Sequence, residues 1–307
     1  MNDNSQHWLI TGASGLLGHP LVTALRAGGH AVTAIRSTHP VGISGVREIA
    51  LDITHGAAVT RVIADSRPDV IVHAAGLTNV DECERDPDGA RKLHVDATRY
   101  VADEGARVGA KLVYISTDHL WDGTQAMVDE GVPTYPINAY AHTKLEGETI
   151  ALASSGTALS IRTNFFGPGR PWRKSLSDWI LERLGEGAAL NMFTDAYFTP
   201  IALDHLIRLL IDCVRLDCAG LLNLAGGERL SKYDFAMALA TAAGFSGASI
   251  RRASVASFGF AAPRPRDMSL DTSRAAAILG HPLPSVAESI ATLFDDTSKV
   301  RNAVPIR

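Results

Sequence analysis

Residues 8–18 read Trp-Leu-Ile-Thr-Gly-Ala-Ser-Gly-Leu-Leu-Gly, and no other stretch limits the fold of this chain so sharply. A short apolar run enters a loop with glycine at every third position, Gly12, Gly15 and Gly18, after which Leu21, Val22 and Leu25 recur at helical spacing. The order is strand, tight turn, helix. Glycines at 12 and 15 let the backbone turn sharply and approach a pyrophosphate, whose charge rests on the amide N–H groups and positive dipole end of the helix. Gly18, read as one turn into that helix, lets it pack close to the strand, and Ser14, Leu16 and Leu17 complete the loop. The spacing is GxxGxxG, a variant of the GxGxxG fingerprint. In a chain with 27 glycines such a triplet could be an ordinary turn, and it is the order of elements around it that points to a dinucleotide.

At 307 residues the chain can bury one large core or two modest ones. Its hydrophobic fraction of 46% and charged fraction of 20% are those of a globular protein. A net charge of −4 gives no electrostatic case for nucleic acid or an anionic membrane. No apolar run is long enough to span a bilayer, and the polar start Met1 to Gln6 is unlike a signal peptide. Three cysteines, Cys83, Cys213 and Cys218, make no disulfide framework and suit a reducing compartment, so a cytoplasmic location is expected. The eleven histidines form no ligand pattern, and no metal is expected.

Beyond the first helix, His30 to Ile35 reads as a second strand ending at Arg36 and Ser37. This strand end meets the adenosine ribose in a nucleotide-binding βαβ unit, where an acid favours NAD and a base accommodates the 2′-phosphate of NADP. Arg36 and Ser37 therefore favour NADP(H) over NAD(H). Val46 to Leu51 reads as a third strand, followed by Asp52, a candidate acceptor for the adenine amino group. Val70-Ile71-Val72 is a continuous apolar run, the pattern of a parallel strand covered on both faces, and Ala74, Ala75 and Gly76 leave room for a cofactor at its end. A long helix is expected over 88–108, then a strand at 111–115 ending in Ser116-Thr117-Asp118-His119.

The alternation continues to Leu159–Arg162 and gives an α/β fold, a doubly wound parallel sheet with right-handed crossovers. From there it loosens. The expected domains are a dinucleotide-binding half over 1–163 with 195–218 packing back on it, a smaller substrate-binding lobe from 164–194 and 219–298, and a frayed tail at 299–307. Within the lobe a short strand is expected at Leu221 to Leu224, and a helix capped by Ser231.

Tyr140-Ala141-His142-Thr143-Lys144 is the second informative constellation. Four residues apart on a helix, the Tyr140 phenol and the Lys144 ammonium share a face. A phenol titrates near 10 in isolation and needs nearby positive charge to move a proton at neutral pH, which Lys144 supplies. Thr117, at a strand end, is placed to hydrogen-bond the same substrate oxygen. YxxxK alone is a common surface pattern. Its place after a Ser-Thr strand end, in a chain opened by a dinucleotide loop, makes it a proton-transfer site opposite a hydride donor.

On these residues the chain resembles the extended short-chain dehydrogenase/reductase superfamily, and within it the dTDP-4-dehydrorhamnose reductase branch of sugar-nucleotide enzymes. The resemblance covers nearly the whole chain. It rests on Thr11 to Gly18, Leu51-Asp52-Ile53-Thr54, His73-Ala74-Ala75-Gly76, Thr78-Asn79-Val80-Asp81, Ser116-Thr117-Asp118, Asp122-Gly123, Tyr140 with Lys144, Arg162-Thr163 and Asn223-Leu224-Ala225-Gly226. It implies a catalytic triad of Thr117, Tyr140 and Lys144, cofactor contacts that include Asp52 and Ile53, and reduction of a 4-keto nucleotide sugar by NADPH. Substrate contacts are expected from Thr78, Val80, Asp118, His119, Asn164, Phe165 and Arg264. A homodimer stays open as its assembly.

Three positions depart from the family pattern: His94 stands where Asn is usual, His119 where an aromatic Tyr follows the Thr-Asp pair, and Phe165 where Trp is usual. They leave the hexose open, along with another deoxysugar or a non-nucleotide carbonyl. Two other classes also stay open. A relative in this branch is the regulatory subunit of methionine adenosyltransferase, which makes NADP binding without turnover one alternative. An epimerase or 4,6-dehydratase is the other, although a dehydratase needs a second carboxylate beside Asp118 and this chain has His119 there.

Overall fold

A computed structural model describes residues 5–294. The expected tail at 299–307 lies outside the described residues. The chain opens with β1 (His7–Thr11), α1 (Gly18–Ala27), β2 (Ala31–Arg36), β3 (Arg47–Ala50), α2 (Gly56–Ser66) and β4 (Val70–His73). It continues through α3 (Val80–Arg85), α4 (Pro87–Arg91), a π turn over Lys92–Asp96, α5 (Ala97–Val108), β5 (Lys111–Ile115), α6 (Ala139–Ala153) and β6 (Leu159–Arg162). The remainder is β7 (Phe165–Phe166), α7 (Leu176–Gly185), β8 (Leu190–Phe193), β9 (Tyr197–Phe198), β10 (Ile201–Ala202), α8 (Leu203–Arg215) and β11 (Gly220–Asn223), then β12 (Leu230–Ser231), α9 (Lys232–Ala242), β13 (Ile250–Ala253), α10 (Ser273–Leu279) and α11 (Val286–Ala291).

Seven strands form one sheet in the order β11-β6-β5-β4-β1-β2-β3. The pairs from β3 through β6 are parallel, as the apolar strands predict, and the fold is a doubly wound α/β sheet. The order reverses direction between β1 and β4, which puts the ends of those strands at the switch point where such sheets take ligands. Leu9, Ile35, Ile63, Ile71, Val101, Leu112 and Tyr114 pack into one core under α2 and α5.

The structure corrects three details of the sequence reading. Gly18 is the first helical residue rather than one turn in, because Gly15 to Leu17 form a separate turn before α1 begins. The single helix expected over 88–108 is helical throughout but carries a π turn at Lys92–Asp96, where the Thr98 hydroxyl donates to the His94 carbonyl at 2.6 Å. The strand expected at Leu221 to Leu224 in the smaller lobe is the edge strand of the main sheet, since Leu221-Leu222 finds an open strand beside β6.

Contacts divide the chain into two compact units. The first comprises the described residues up to Thr117, with Pro136–Arg162 and Cys213–Leu222. The second comprises Asp118–Tyr135, Thr163–Asp212 and the described residues from Asn223 onward. Its core is aromatic at the centre, with Phe235 edge-on to Phe166 at 4.9 Å and to Phe198 at 5.5 Å. Such pairs add about 0.5–1.5 kcal/mol beyond area burial. Among the described residues no helix is long and apolar enough to cross a membrane.

Candidate functional site

The glycine loop is built by close backbone approach. Gly12 sits at φ +66°, and a Cβ there would meet the Ala75 amide nitrogen at 2.8 Å and the Ala74 carbonyl carbon at 2.9 Å. A Cβ at Gly18 would drive into the Gly12 carbonyl oxygen, so the start of α1 lies against the loop only because Gly18 lacks a side chain, while Gly12 lets the loop lie against the end of β4. At Gly15 a Cβ would meet nothing within 4 Å except the Gly12 oxygen at 3.0 Å, which leaves that side open for a ligand. Leu17, the residue just before α1, gives no side-chain cap to the helix N-terminus. Open approach at Gly15 and a ten-residue helix whose N-terminus carries no side-chain cap fit a pyrophosphate. Ala13 N–H bonds the Ile35 carbonyl at 3.0 Å and ties the loop to β2.

At the end of β2 the Arg36 guanidinium is held by its neighbours. Arg36 Nε donates to Glu48 Oε1 at 2.9 Å, and its Nη1 donates to the Ser37 carbonyl at the same distance. Glu48 Oε2 in turn accepts from the amides of Val41 and Gly42, so the guanidinium is held at the strand end by a carboxylate that is itself fixed. Asp52 is committed to a local turn. Its Oδ1 accepts from the Thr54 amide at 2.9 Å and the Thr54 hydroxyl at 2.8 Å, while Oδ2 is half-exposed beside His55. Ile53 is buried in the core beneath. Ala74, Ala75 and Gly76 are half-buried at the end of β4.

Thr117, Tyr140 and Lys144 all belong to the first unit and are all buried. Thr117 lies two residues past β5, where the Ser116 amide bonds the Ile161 carbonyl at 2.7 Å. Tyr140 is the second residue of α6, whose start is fixed by the Asn138 side chain accepting from the Ala141 amide at 2.9 Å. One turn on, Lys144 Nζ donates to the Ile115 carbonyl at 2.7 Å and stands 4.2 Å from the centre of the Tyr114 ring. Burial pushes its ammonium down to about 7, against the opposing pull of Glu148 and Cys83. Gly147 lets α6 lie against the π turn, since a Cβ there would run into the His94 carbonyl and the Tyr114 hydroxyl.

His94 connects two parts of this site. Its Nδ1 is 2.8 Å from the Thr143 hydroxyl on α6, and its Nε2 is 3.0 Å from the Leu77 amide in the loop after β4. Its ring meets that of Tyr140 edge-on at 5.7 Å. The buried His73, not singled out from the sequence as a functional group, carries the chain of bonds further. Its Nδ1 is 2.7 Å from the Thr11 hydroxyl, and its Nε2 is 3.0 Å from the Thr98 hydroxyl. The Thr98 proton is given to the His94 carbonyl, so His73 is assigned as the Nε2–H tautomer with Nδ1 accepting from Thr11. Burial, with the Lys144 charge behind it, holds both imidazoles neutral down to about 3. The only sequence signal for this network was a histidine at a strand end and another in a long helix.

Of the expected substrate contacts in this unit, Thr78 is exposed in the loop and Val80 is the buried first residue of α3, after Asn79, whose side chain accepts from the Glu82 amide. The others lie in the second unit. Asn164 Nδ2 donates to Asp118 Oδ2 at 2.5 Å, and His119 Nε2 is 3.8 Å from Asp118 Oδ1. Phe165 is half-buried on β7, paired with Ile201. The Arg264 guanidinium lies 4.7 Å over the Phe260 ring and donates to the Ala262 carbonyl. Lys232, which the sequence reading passed over, is half-buried at the start of α9 with its Nζ over the Phe198 ring. Among the described residues no group of His, Cys, Asp and Glu side chains could hold a metal ion.

Comparison with known proteins gives a consistent result. The family model described as RmlD substrate binding domain matches residues 6–299. A probable dTDP-4,6-dihydroxy-2-methyloxan-3-one 4-ketoreductase of Streptomyces antibioticus is 32% identical over 97% of this chain and 94% of its own length. Methionine adenosyltransferase 2 subunit beta of Bos taurus is also 32% identical, over 89% of this chain and 83% of its own length. Among solved structures, dTDP-4-dehydrorhamnose reductase from Bacillus anthracis str. Ames, in complex with NADP, superposes with a TM-score of 0.85 at 25% identity, over 95% of this chain and 100% of that one. A family match over almost the whole length, joined to the glycine loop, the switch-point sheet and the buried Tyr140–Lys144 pair, places this chain in the RmlD family.

Proposed function

We propose that the chain is an NADP-dependent ketoreductase that reduces a keto group on a nucleotide-activated deoxysugar. The observation that carries this reading is the Lys144 ammonium, buried on α6 against the end of β5, one helical turn from Tyr140, in the unit whose sheet also leads into the glycine loop after β1. The likeness to a dTDP-sugar 4-ketoreductase and to an NADP-bound dehydrorhamnose reductase supports it.

In this reading the reduced nicotinamide, when bound, supplies a hydride to the carbonyl carbon. Thr117 donates a hydrogen bond that orients the carbonyl oxygen. Tyr140 gives its proton to that oxygen, and the Lys144 ammonium stabilises the phenolate left behind. The Ile115 carbonyl and the Tyr114 ring hold that ammonium in place. Arg36 and Ser37 receive the 2′-phosphate, Gly12 to Gly18 the pyrophosphate, Asp52 and Ile53 the adenine end, and Ala74 to Gly76 the space beside β4. Thr78, Val80, Asp118, His119, Asn164, Phe165 and Arg264 are proposed as substrate contacts. Cys83, Cys213 and Cys218 are buried free thiols, which supports a cytoplasmic setting.

The likeness to methionine adenosyltransferase 2 subunit beta favours a second reading, a cofactor-binding subunit of a larger assembly. The two readings separate in one experiment. Purified protein is mixed with NADPH and a panel of nucleotide 4-keto-6-deoxysugars, and the loss of NADPH absorbance is followed. Substrate-dependent oxidation is expected. Tight NADPH binding with no oxidation across the panel would favour the subunit reading.

A further inference from the structure

His94 is buried in the first unit, and its ring bonds two segments that lie far apart in the sequence. Its Nδ1 is 2.8 Å from the hydroxyl of Thr143, which lies on α6 between Tyr140 and Lys144. Its Nε2 is 3.0 Å from the Leu77 amide and 2.9 Å from the Leu77 carbonyl, in the loop that follows β4 and directly after Ala74-Ala75-Gly76. Gly76 makes room for the ring, because a Cβ there would stand 3.3 Å from both Nε2 and Cδ2. The ring also meets that of Tyr140 edge-on at 5.7 Å.

Either neutral tautomer keeps both links. With the proton on Nδ1 the ring donates to Thr143, whose own hydroxyl donates to the Ala139 carbonyl at 2.8 Å, and Nε2 accepts from the Leu77 amide. With the proton on Nε2 the ring donates to the Leu77 carbonyl, and Nδ1 accepts from Thr143. A neutral imidazole is therefore a tie with two ends, and burial keeps this one neutral. An asparagine, the residue usual in this family at position 94, ends in the same rotamer where Nδ1 does. The tie to Leu77 belongs to the longer histidine side chain.

We propose that His94 is a positioning residue that fixes the loop after β4 against α6, and so sets the gap between the bound cofactor and the Tyr140 phenol. The loop arm holds Ala74 to Gly76, the segment assigned to the cofactor's side of the site. The helix arm holds the turn that carries Tyr140 and Lys144. Neither arm touches a reacting atom. A misplacement of about 1 Å costs about 10² in rate where reacting groups must be aligned, so a tie at both segments has a kinetic consequence beyond its stability. The role rests on the ketoreductase reading for its effect on turnover, whereas its effect on the cofactor is measurable without turnover.

Two substitutions cut the arms one at a time. His94→Asn keeps an amide where Nδ1 lay and loses the reach to Leu77, whereas His94→Gln carries its amide to the Nε2 position and loses the bond to Thr143. The NADPH Kd of the full chain is read by fluorescence titration, and kcat at saturating NADPH with a reducible nucleotide 4-keto-6-deoxysugar. His94→Asn should raise the Kd about fivefold or more, the scale of a lost hydrogen bond, while His94→Gln leaves it within about twofold. His94→Gln should instead lower kcat about tenfold, by more than His94→Asn does. A histidine that only supports the fold predicts lower denaturant midpoints in both variants, with Kd and kcat moved alike. That result, or an unchanged Kd in His94→Asn, overturns the proposal. If the histidine variants do not fold, Thr143→Val decides: a lowered kcat at unchanged Kd, restored in Thr143→Ser, supports it, and an unchanged kcat overturns it. NADPH that binds but is oxidised by no substrate contradicts only the ketoreductase reading, and the Kd contrast between the two histidine variants then decides the positioning role.

Discussion

Lys144 Nζ donates to the backbone carbonyl of Ile115 at 2.7 Å. This bond joins the helix that carries Tyr140 to the strand that delivers Thr117, and it fixes the ammonium by backbone rather than by a second side chain. Lys144→Ala removes both the charge and this anchor. It should lower turnover and also weaken NADPH binding, whereas Lys144→Arg, too bulky for the same bond, should restore neither fully. Steady-state rates and a cofactor titration check the pair of effects.

Arg36 and Glu48 give a separable test of cofactor choice. A charge-assisted contact from Arg36 to the 2′-phosphate contributes about 1.5–3 kcal/mol, or roughly tenfold or more in affinity. Titration of wild type and Arg36→Ala with NADPH and NADH should show NADPH preferred in the first and the preference lost in the second. Equal affinities in the wild type would remove the basis for assigning NADP.

The neutral histidines predict a sensitivity to acid. His73 and His94 hold their protonation off to about 3, whereas both titrate near 6.5 when unfolded. Between those values the unfolded chain binds protons that the folded chain refuses, so stability falls as pH drops. Each group contributes about 1.4 kcal/mol per pH unit well inside that window. Urea unfolding at pH 7 and pH 5 should show the fall. His94→Asn should make it shallower by about one histidine's share, and an unchanged slope would show that His94 titrates normally.

Glu148 and Arg162 form a buried ion pair, with Arg162 Nη2 to Glu148 Oε1 at 2.6 Å and Nε to Oε2 at 3.0 Å. The Ser160 hydroxyl donates to the same carboxylate. Glu148→Ala leaves the arginine charge buried without its acid and should cost about 3–5 kcal/mol of stability. Denaturant midpoints measure it directly.

The sheet was legible because its strands are short apolar runs punctuated by glycine, alanine and polar ends, as at Val70 to Gly76. Tyr140 and Lys144 were legible because a fixed helical spacing carries their chemistry. Three features were hidden for identifiable reasons. The π turn leaves the apolar spacing of the helix intact, and nothing in the sequence over 88–108 marks it. Strand β11 was misplaced because two leucines do not say which sheet edge is vacant. Lys232 carried no signal in the sequence, and only the fold brings the Phe198 ring under it.

The central claim is that Tyr140 donates the proton to a ketone reduced at this site, and one measurement reads it most directly. Turnover of a reducible nucleotide 4-keto-6-deoxysugar with NADPH is compared between wild type and Tyr140→Phe, alongside the NADPH Kd of each. The account predicts that turnover falls by about 10² or more, the usual scale for a lost general acid, while the Kd barely moves because the aromatic packing is kept. A Tyr140→Phe protein that reduces the same substrate at the wild-type rate would contradict it.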